Sequence, residues 1–368
     1  MDKEKILDNI KNEIEKITNK ENNIFFFVID TKGTPSGSLE YIYNLALITK
    51  KLGYKVSMLY SEDDEFVGVR EWLGDEYADL EHLDIEKNDV TVSPSDILFI
   101  PELFSNVMNQ TKKLPCKKVA ILQNYDYIFE QTPISAQWGN YNILECLTNT
   151  ENNKEALKGI FPYVTTKVVP PFISEEAFTP IAPKKLIINI VSKSQRDINK
   201  IIKPFYWKYP MFKFVSFKDL RGFSKKDFIT NLKESPITVW VDDDTSFGYS
   251  ALEAIKCGNI VIAKIPDNSV SWMHEDGDCN KPFTNACLWF DNLRDVQNLI
   301  ATVVRSWTLD KIPDDIHDKS KTILSKYTYD NTYNSMKEYL DYILNKRLDE
   351  MKNIMDANSN EGEEGKNE

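Results

Sequence analysis

Histidine is scarce in this chain of 368 residues: there are three, His82, His274 and His317, all far apart. A metal centre built on imidazoles needs several of them converging on one ion, so no histidine-built metal site is expected. Cysteine is sparse as well. The five thiols, Cys116, Cys146, Cys257, Cys279 and Cys287, are an odd number without a Cys-x-x-Cys pair. That argues against a disulfide framework or a zinc ribbon and for a reducing compartment, with the cytoplasm as the expected location. No run approaches the roughly 18 apolar residues of a membrane span. The opening MDKEKILDNIKNEIEK is charged and periodic, which does not read as a secretory signal. An excess of base is also missing. The formal net charge is −12, whereas a nucleic-acid coat or a polybasic membrane binder leans the other way.

The length and a hydrophobic share of 42% fit two soluble globular domains. The acid is unevenly spread. Residues 350–368 hold six acids and two bases among Asn, Gly and Ser, which reads as a disordered tail. Between Lys184 and Lys226 there are twelve bases and two acids. This segment reads either as solvated lysines on alternating elements or as a phosphate-facing surface.

Isoleucines 6, 10, 14 and 17 predict a helix over residues 2–20, packed on the body or available for self-association. Continuous apolar runs then alternate with amphipathic stretches. Runs at 24–30, 55–61, 95–102, 117–124 and 141–149 read as buried strands of a parallel sheet. TTKVVPPFISEEAFTP (165–180) reads as a linker. Strands at 185–193, 212–218, 236–244, 259–266 and 286–292 alternate with helices at 196–210, 225–235 and 247–258, and residues 293–307 and 318–352 are helical. The expected class is α/β, with two Rossmann-like, doubly wound halves. Their ligand belongs in the crevice outside the carboxyl ends of the strands.

Candidate residues follow those ends. The loop Gly33-Thr34-Pro35-Ser36-Gly37-Ser38 is neither a Walker loop nor a dinucleotide fingerprint, but a small-residue turn opening a helix. After PITVWVDDD come Thr245, Ser246, Phe247, Gly248, Tyr249 and Ser250, then Glu253. Thr245 or Ser246 is the natural N-cap, and the amides of 247–250 are expected to face a diphosphate. Lys193 and Arg196 follow the first strand of the second half and suit a diphosphate leaving group. Asp242, Asp243 and Asp244 are contiguous, so at most two face one point, and no metal is expected there. His82 and His274 read as surface histidines, Trp272 and Met273 as packing.

FGYSALEAIKCGNIVIA (247–263) resembles the signature of the large retaining glycosyltransferase family with the GT-B fold (family 4, group 1). Gly37-Ser38-Leu39-Glu40 resembles that family's first loop, VVPPFISEEAFTP (168–180) its linker and YTYDNTYNSMKEYLDYI (327–343) its crossover helix. The resemblance implies two domains facing across a cleft: an N-terminal helix (1–22), an acceptor domain (23–168), a linker (169–182), a nucleotide-sugar domain (183–325), a crossover helix (326–350) and an acidic tail (351–368).

It also implies roles. Glu253 matches the ribose-binding acid, 247–250 the diphosphate turn, with Thr245 and Ser246 before it, and Lys193 and Arg196 the leaving-group pair. Gly37 and Ser38 match the loop that closes on the donor. The family's first motif acid falls at Thr245, with Asp244 one residue earlier as the candidate for its contact. Gln123 and Asn124 stand where the family often has a histidine, on the acceptor side. The implied activity is retaining, metal-independent transfer from a UDP- or GDP-sugar, used as co-substrate with no further cofactor, to a glycan or other hydroxyl. A modified base in DNA is a second acceptor class, and a non-catalytic nucleotide-sugar sensor a third reading.

Overall fold

The apolar runs form strands because each is buried on both faces. The computed structural model describes residues 3–61, 65–311 and 314–360. The first sheet comprises β1 (Asn23–Phe27), β2 (Lys55–Tyr60), β3 (Glu81–Asp84), β4 (Ile97–Pro101), β5 (Lys117–Leu122), β6 (Glu145–Thr148) and β7 (Thr165–Val168). All are parallel, in the order β3-β2-β1-β4-β5-β6-β7. The second comprises β8 (Ile187–Ser192), β9 (Ser216–Asp219), β10 (Ile237–Val241), β11 (Ile260–Lys264) and β12 (Cys287–Phe290). It is also parallel, in the order β12-β11-β10-β8-β9.

The helices of the first half are α1 (Lys3–Thr18), α2 (Gly37–Lys51), α3 (Asp75–Ala78), α4 (Ser105–Gln110), α5 (Asp126–Gln131) and α6 (Glu151–Ile160). Those of the second are α7 (Gln195–Lys208), α8 (Lys225–Glu234), α9 (Tyr249–Lys256), α10 (Val296–Thr308), α11 (Asp314–Leu324) and α12 (Tyr329–Asn360).

Three boundaries differ from the sequence reading. β7 takes the first four residues of the expected linker, pairing with β6 at the edge of the sheet. β9 starts at Ser216 because Pro210 opens a 3-10 turn over Pro210–Phe212. The helical stretch 318–352 is two helices, and the second runs to Asn360. Met351 is buried, so residues 351–360 continue the crossover helix where a disordered tail was expected. The rest of that tail lies outside the described residues.

α12 returns to the first domain. Lys117 pairs with Glu350 at 2.6 Å, and Arg347 donates to the carbonyls of Pro94 and Pro115. α1 packs against α12. Ile17 is buried and Ile10 and Ile14 half-buried in the central cluster that α12 also joins, so the isoleucine stripe is occupied within the chain. That cluster spans both domains, from Ile24 and Tyr41 to Trp240, Trp272 and Leu340. Each sheet has a second apolar cluster on its outer face. Among the described residues no helix is long and apolar enough to cross a membrane.

Candidate active site

The strand order reverses once in each sheet, between β1 and β4 and between β8 and β10. Loops leaving a parallel sheet on either side of such a point diverge and open a crevice. Here the two crevices face each other around one cavity of about 690 Å³. Its walls come from residues 34–40, Gln123 and Tyr127 of the first domain, and from Lys193, residues 220–223, Lys225, residues 244–250 and Glu253 of the second.

The start of α9 forms one wall. Its N-cap is Gly248, at φ +84°, and no side chain caps it. Thr245 and Ser246, the expected caps, lie further back: Thr245 is buried, and the Ser246 carbonyl accepts from Asn149 Nδ2 at 3.4 Å. A side chain at 248 has no room. A Cβ there meets Trp272 at 3.1 Å and Met273 at 3.2 Å, in a left-handed conformation that already favours glycine. The first amide of the turn with a backbone acceptor is that of Ala251, which bonds the Gly248 carbonyl. Among the described residues the amides of Gly248, Tyr249 and Ser250 have no such acceptor, the arrangement that binds anions at helix starts. The Ser250 hydroxyl accepts from Trp240 Nε1 at 3.0 Å. Trp272 and Met273 are buried beneath, as packing.

Across the cavity, Ser36 caps α2 by accepting from the Leu39 amide. A Cβ on Gly37 meets the Tyr249 ring at 3.3 Å, so the two domains touch here through a glycine. Gln123 Nε2 donates to the Ser38 carbonyl at 3.2 Å and lines the cavity. Asn124 is fully buried and lies outside the lining. It donates to Asp244 Oδ1 and accepts from Asn268, both at 3.0 Å. The Tyr127 hydroxyl donates to Asp244 Oδ2 at 3.3 Å. Both oxygens of Asp244 are therefore engaged by the first domain.

The three contiguous aspartates go separate ways. Asp242 accepts from Lys193 Nζ at 2.9 Å, and Asp243 pairs with Lys264. Burial pushes the Asp242 carboxyl above its usual range, with Lys193 opposing. Arg196 is exposed on the first turn of α7 and is not part of the cavity wall. The guanidinium at the wall is that of Arg221, held by Asp219 at 2.7 Å. The twelve bases of 184–226 do not share one surface. Lys184 is half-buried against the carbonyls of Ser235 and Cys257 and its pKa is pushed down to about 8 by burial. Only Lys193, Arg221 and Lys225 reach the cavity.

Lys225 was not anticipated. Its ammonium lies between Glu40 on α2, at 2.7 Å, and Glu253 on α9, both buried or nearly so. Burial alone favours the neutral amine. Glu253 and Glu40 reverse this and raise the pKa of Lys225 above its ordinary value. Burial pushes Glu253 up while the ammonium opposes. Three segments far apart in sequence meet here, so no local motif could announce the triad. Glu102 was missed too. It is buried, takes the amides of Gln123 and Asn124 on one oxygen and leaves the other unpartnered. Burial raises its pKa to about 7. His82 is half-buried and His274 buried, where surface histidines were expected. His82 bonds the Tyr43 hydroxyl, and His274 bonds Ser269 and the Lys281 carbonyl.

No protein-family model matches the chain, and no curated protein matches it by sequence. Solved structures do match. A sucrose-phosphate synthase from Thermosynechococcus elongatus aligns at TM-score 0.61 and 11% identity, over 88% of this chain and 100% of that one. The chain has the GT-B fold. The pneumococcal O-GlcNAc transferase GtfA, solved with UDP and GlcNAc, aligns at TM-score 0.57 and 8% identity, over 88% and 99% of the two chains. An alpha-glucosyltransferase solved with UDP and a 13-mer DNA containing a HMU base aligns at 0.53 and 12%, over 86% and 99%. These GT-B neighbours are glycosyltransferases, and a likeness over 86–88% of the chain takes in both domains.

Proposed function

We propose that this protein transfers a sugar from a nucleoside diphosphate sugar to an acceptor hydroxyl. The observation that carries the reading is the uncapped start of α9, opening at Gly248 onto a cavity between two GT-B domains. The diphosphate is assigned to the amides of Gly248, Tyr249 and Ser250. Glu253 is assigned to the ribose, with Lys225 beside it. As the bond from the anomeric carbon to the β-phosphate oxygen breaks, charge builds on the phosphate. Lys193, Arg221 and the helix start are placed to stabilise it. The departing phosphate takes the proton of the attacking hydroxyl, and the sugar keeps its anomeric configuration. The step needs no resident metal. Arg196, on the outward side of the first turn of α7, is left out of this assignment. Gly37 and Ser38 close over the donor, and Gln123 faces the acceptor. Asp244 positions the two domains through Asn124 and Tyr127.

The acceptor class is proposed as a glycan or another hydroxyl compound. A modified DNA base is the second reading, favoured by the DNA-bound neighbour, and a salt-sensitive shift of DNA by the protein separates the two.

The test is a thermal-shift and turnover screen of UDP- and GDP-sugars. We expect stabilisation by at least one nucleotide, release of nucleoside diphosphate, and loss of turnover in Lys193→Ala and Arg221→Ala with binding retained in part. No stabilisation by any nucleotide overturns the site. Binding without turnover over a broad acceptor panel leaves the sensor reading. Loss in Arg196→Ala but not Arg221→Ala reassigns the cation.

A further inference from the structure

The second domain carries an apolar patch on its outer face that nothing in the described chain covers. Trp207, Met211 and Phe214 are 77%, 61% and 62% exposed. Side chains so open protrude from a surface rather than line a groove. Their position follows from local structure. Trp207 is in the last turn of α7, whose other face is fixed by buried Ile198, Ile201 and Phe205. The 3-10 turn at Pro210 then presents Met211, and Phe214 follows. Helices that connect parallel strands run back against them, so this end of α7 is remote from the cavity at the carboxyl ends.

The charge interleaved with the patch is one-sided: Lys203, Lys208 and Lys213 stand among Trp207, Met211 and Phe214, and no acid lies between residues 198 and 218 in a chain of net charge −12. Lys203 and Lys213 are exposed. Lys208 lies 5.7 Å from the centre of the Tyr209 ring. α10 adds Arg305, whose guanidinium stands 5.5 Å above the Phe212 ring and 6.0 Å above Tyr209. The exposed apolar side chains thus alternate with bases along this segment, and Arg305 is added by packing.

We propose that this face docks the protein onto an anionic lipid bilayer. Trp207 sits at the headgroup level, Met211 and Phe214 enter the acyl boundary, and the bases meet anionic headgroups. Each base close to such a surface contributes on the order of a fivefold gain in partition. The rest of the chain carries the excess of acid, so attachment is oriented with this face toward a negative membrane. Single-stranded nucleic acid also suits cations and aromatics, but it uses a basic groove in which bases stack. Protruding Met and Phe side chains favour the bilayer.

The test is co-sedimentation of the full chain with phosphatidylcholine vesicles, with and without phosphatidylglycerol. We expect binding only to the anionic vesicles, falling as salt rises, with a blue shift of tryptophan emission that Trp207→Ser removes. The triple variant W207S/M211S/F214S and the charge variant K203E/K208E/K213E each lower partition by about tenfold or more. Both alter exposed side chains, and circular dichroism checks that they fold. No binding to anionic vesicles overturns the proposal. So does equal binding by both variants, or binding to a single-stranded oligonucleotide without binding to vesicles.

Discussion

Two single residues set how the cavity is built. Gly248 holds a left-handed turn under Trp272 and Met273, at contacts of 3.1 and 3.2 Å for any added Cβ. Gly248→Ala is expected to cost about 2 kcal/mol or more in urea unfolding, from backbone strain and the clash together. Nucleotide affinity in calorimetric titration should fall with it, because the amides of the turn rotate away. Glu102 acts from behind, through the amides of Gln123 and Asn124. Folding raises its pKa from 4.5 to about 7 through burial. Between those values the native state holds a proton that the unfolded chain has released. This stabilisation is complete below about pH 4.5 and is lost as pH rises through 7, a change on the order of 3 kcal/mol. Glu102→Gln keeps an acceptor for the two amides and removes the titration. Its unfolding free energy should lack that slope, and an unchanged slope would place the proton elsewhere.

At the scale of elements, α2, α8 and α9 meet at Glu40, Lys225 and Glu253. A cation between two buried carboxylates ties the domains together and orients Glu253. Lys225→Met leaves two buried acids without their counter-ion, which typically costs about 3–5 kcal/mol near neutral pH. The loss should shrink as pH falls, since protonation relieves the buried Glu253, whose pKa burial already pushes up. Adding Glu40→Gln should recover part of it, and additive effects of the two changes would mean that they do not interact. The reach of the sequence is also clearest at this scale. β1, β4, β5, β10 and β11 were legible because strands buried on both faces are continuous apolar runs. β3 and β7, Glu-His-Leu-Asp and Thr-Thr-Lys-Val, were not, because edge strands keep polar side chains toward water. The turn at 247–250 was legible as a glycine between a strand and a helix. Its cap was misassigned, because side-chain preference favours Thr or Ser while the crowding under Gly248 is tertiary. The exchange of Arg196 for Arg221 at the wall has the same origin: Arg196 is exposed on α7 while Arg221 stands in the turn after β9, and a charge count does not contain that placement.

For the whole molecule, one apolar cluster runs through both domains and the returning helix. The domains should therefore unfold together, with calorimetric and van't Hoff enthalpies in agreement. A nucleotide at 100 times its Kd should add about 2.7 kcal/mol to that single transition. Two separate transitions, with only one moved by nucleotide, would show that the cluster does not couple the halves.

The chain passes between the domains twice, and the passages lie side by side. The Ile173 amide bonds the Tyr327 carbonyl at 2.9 Å, and the rings of Phe172 and Tyr329 meet edge to face at 5.3 Å. The outgoing and incoming strands thus form a two-ply ribbon, and a swing of one lobe against the other bends that ribbon. Because entry and exit adjoin, the second lobe is an insertion between two neighbouring points of the first, which keeps both α1 and the returning α12.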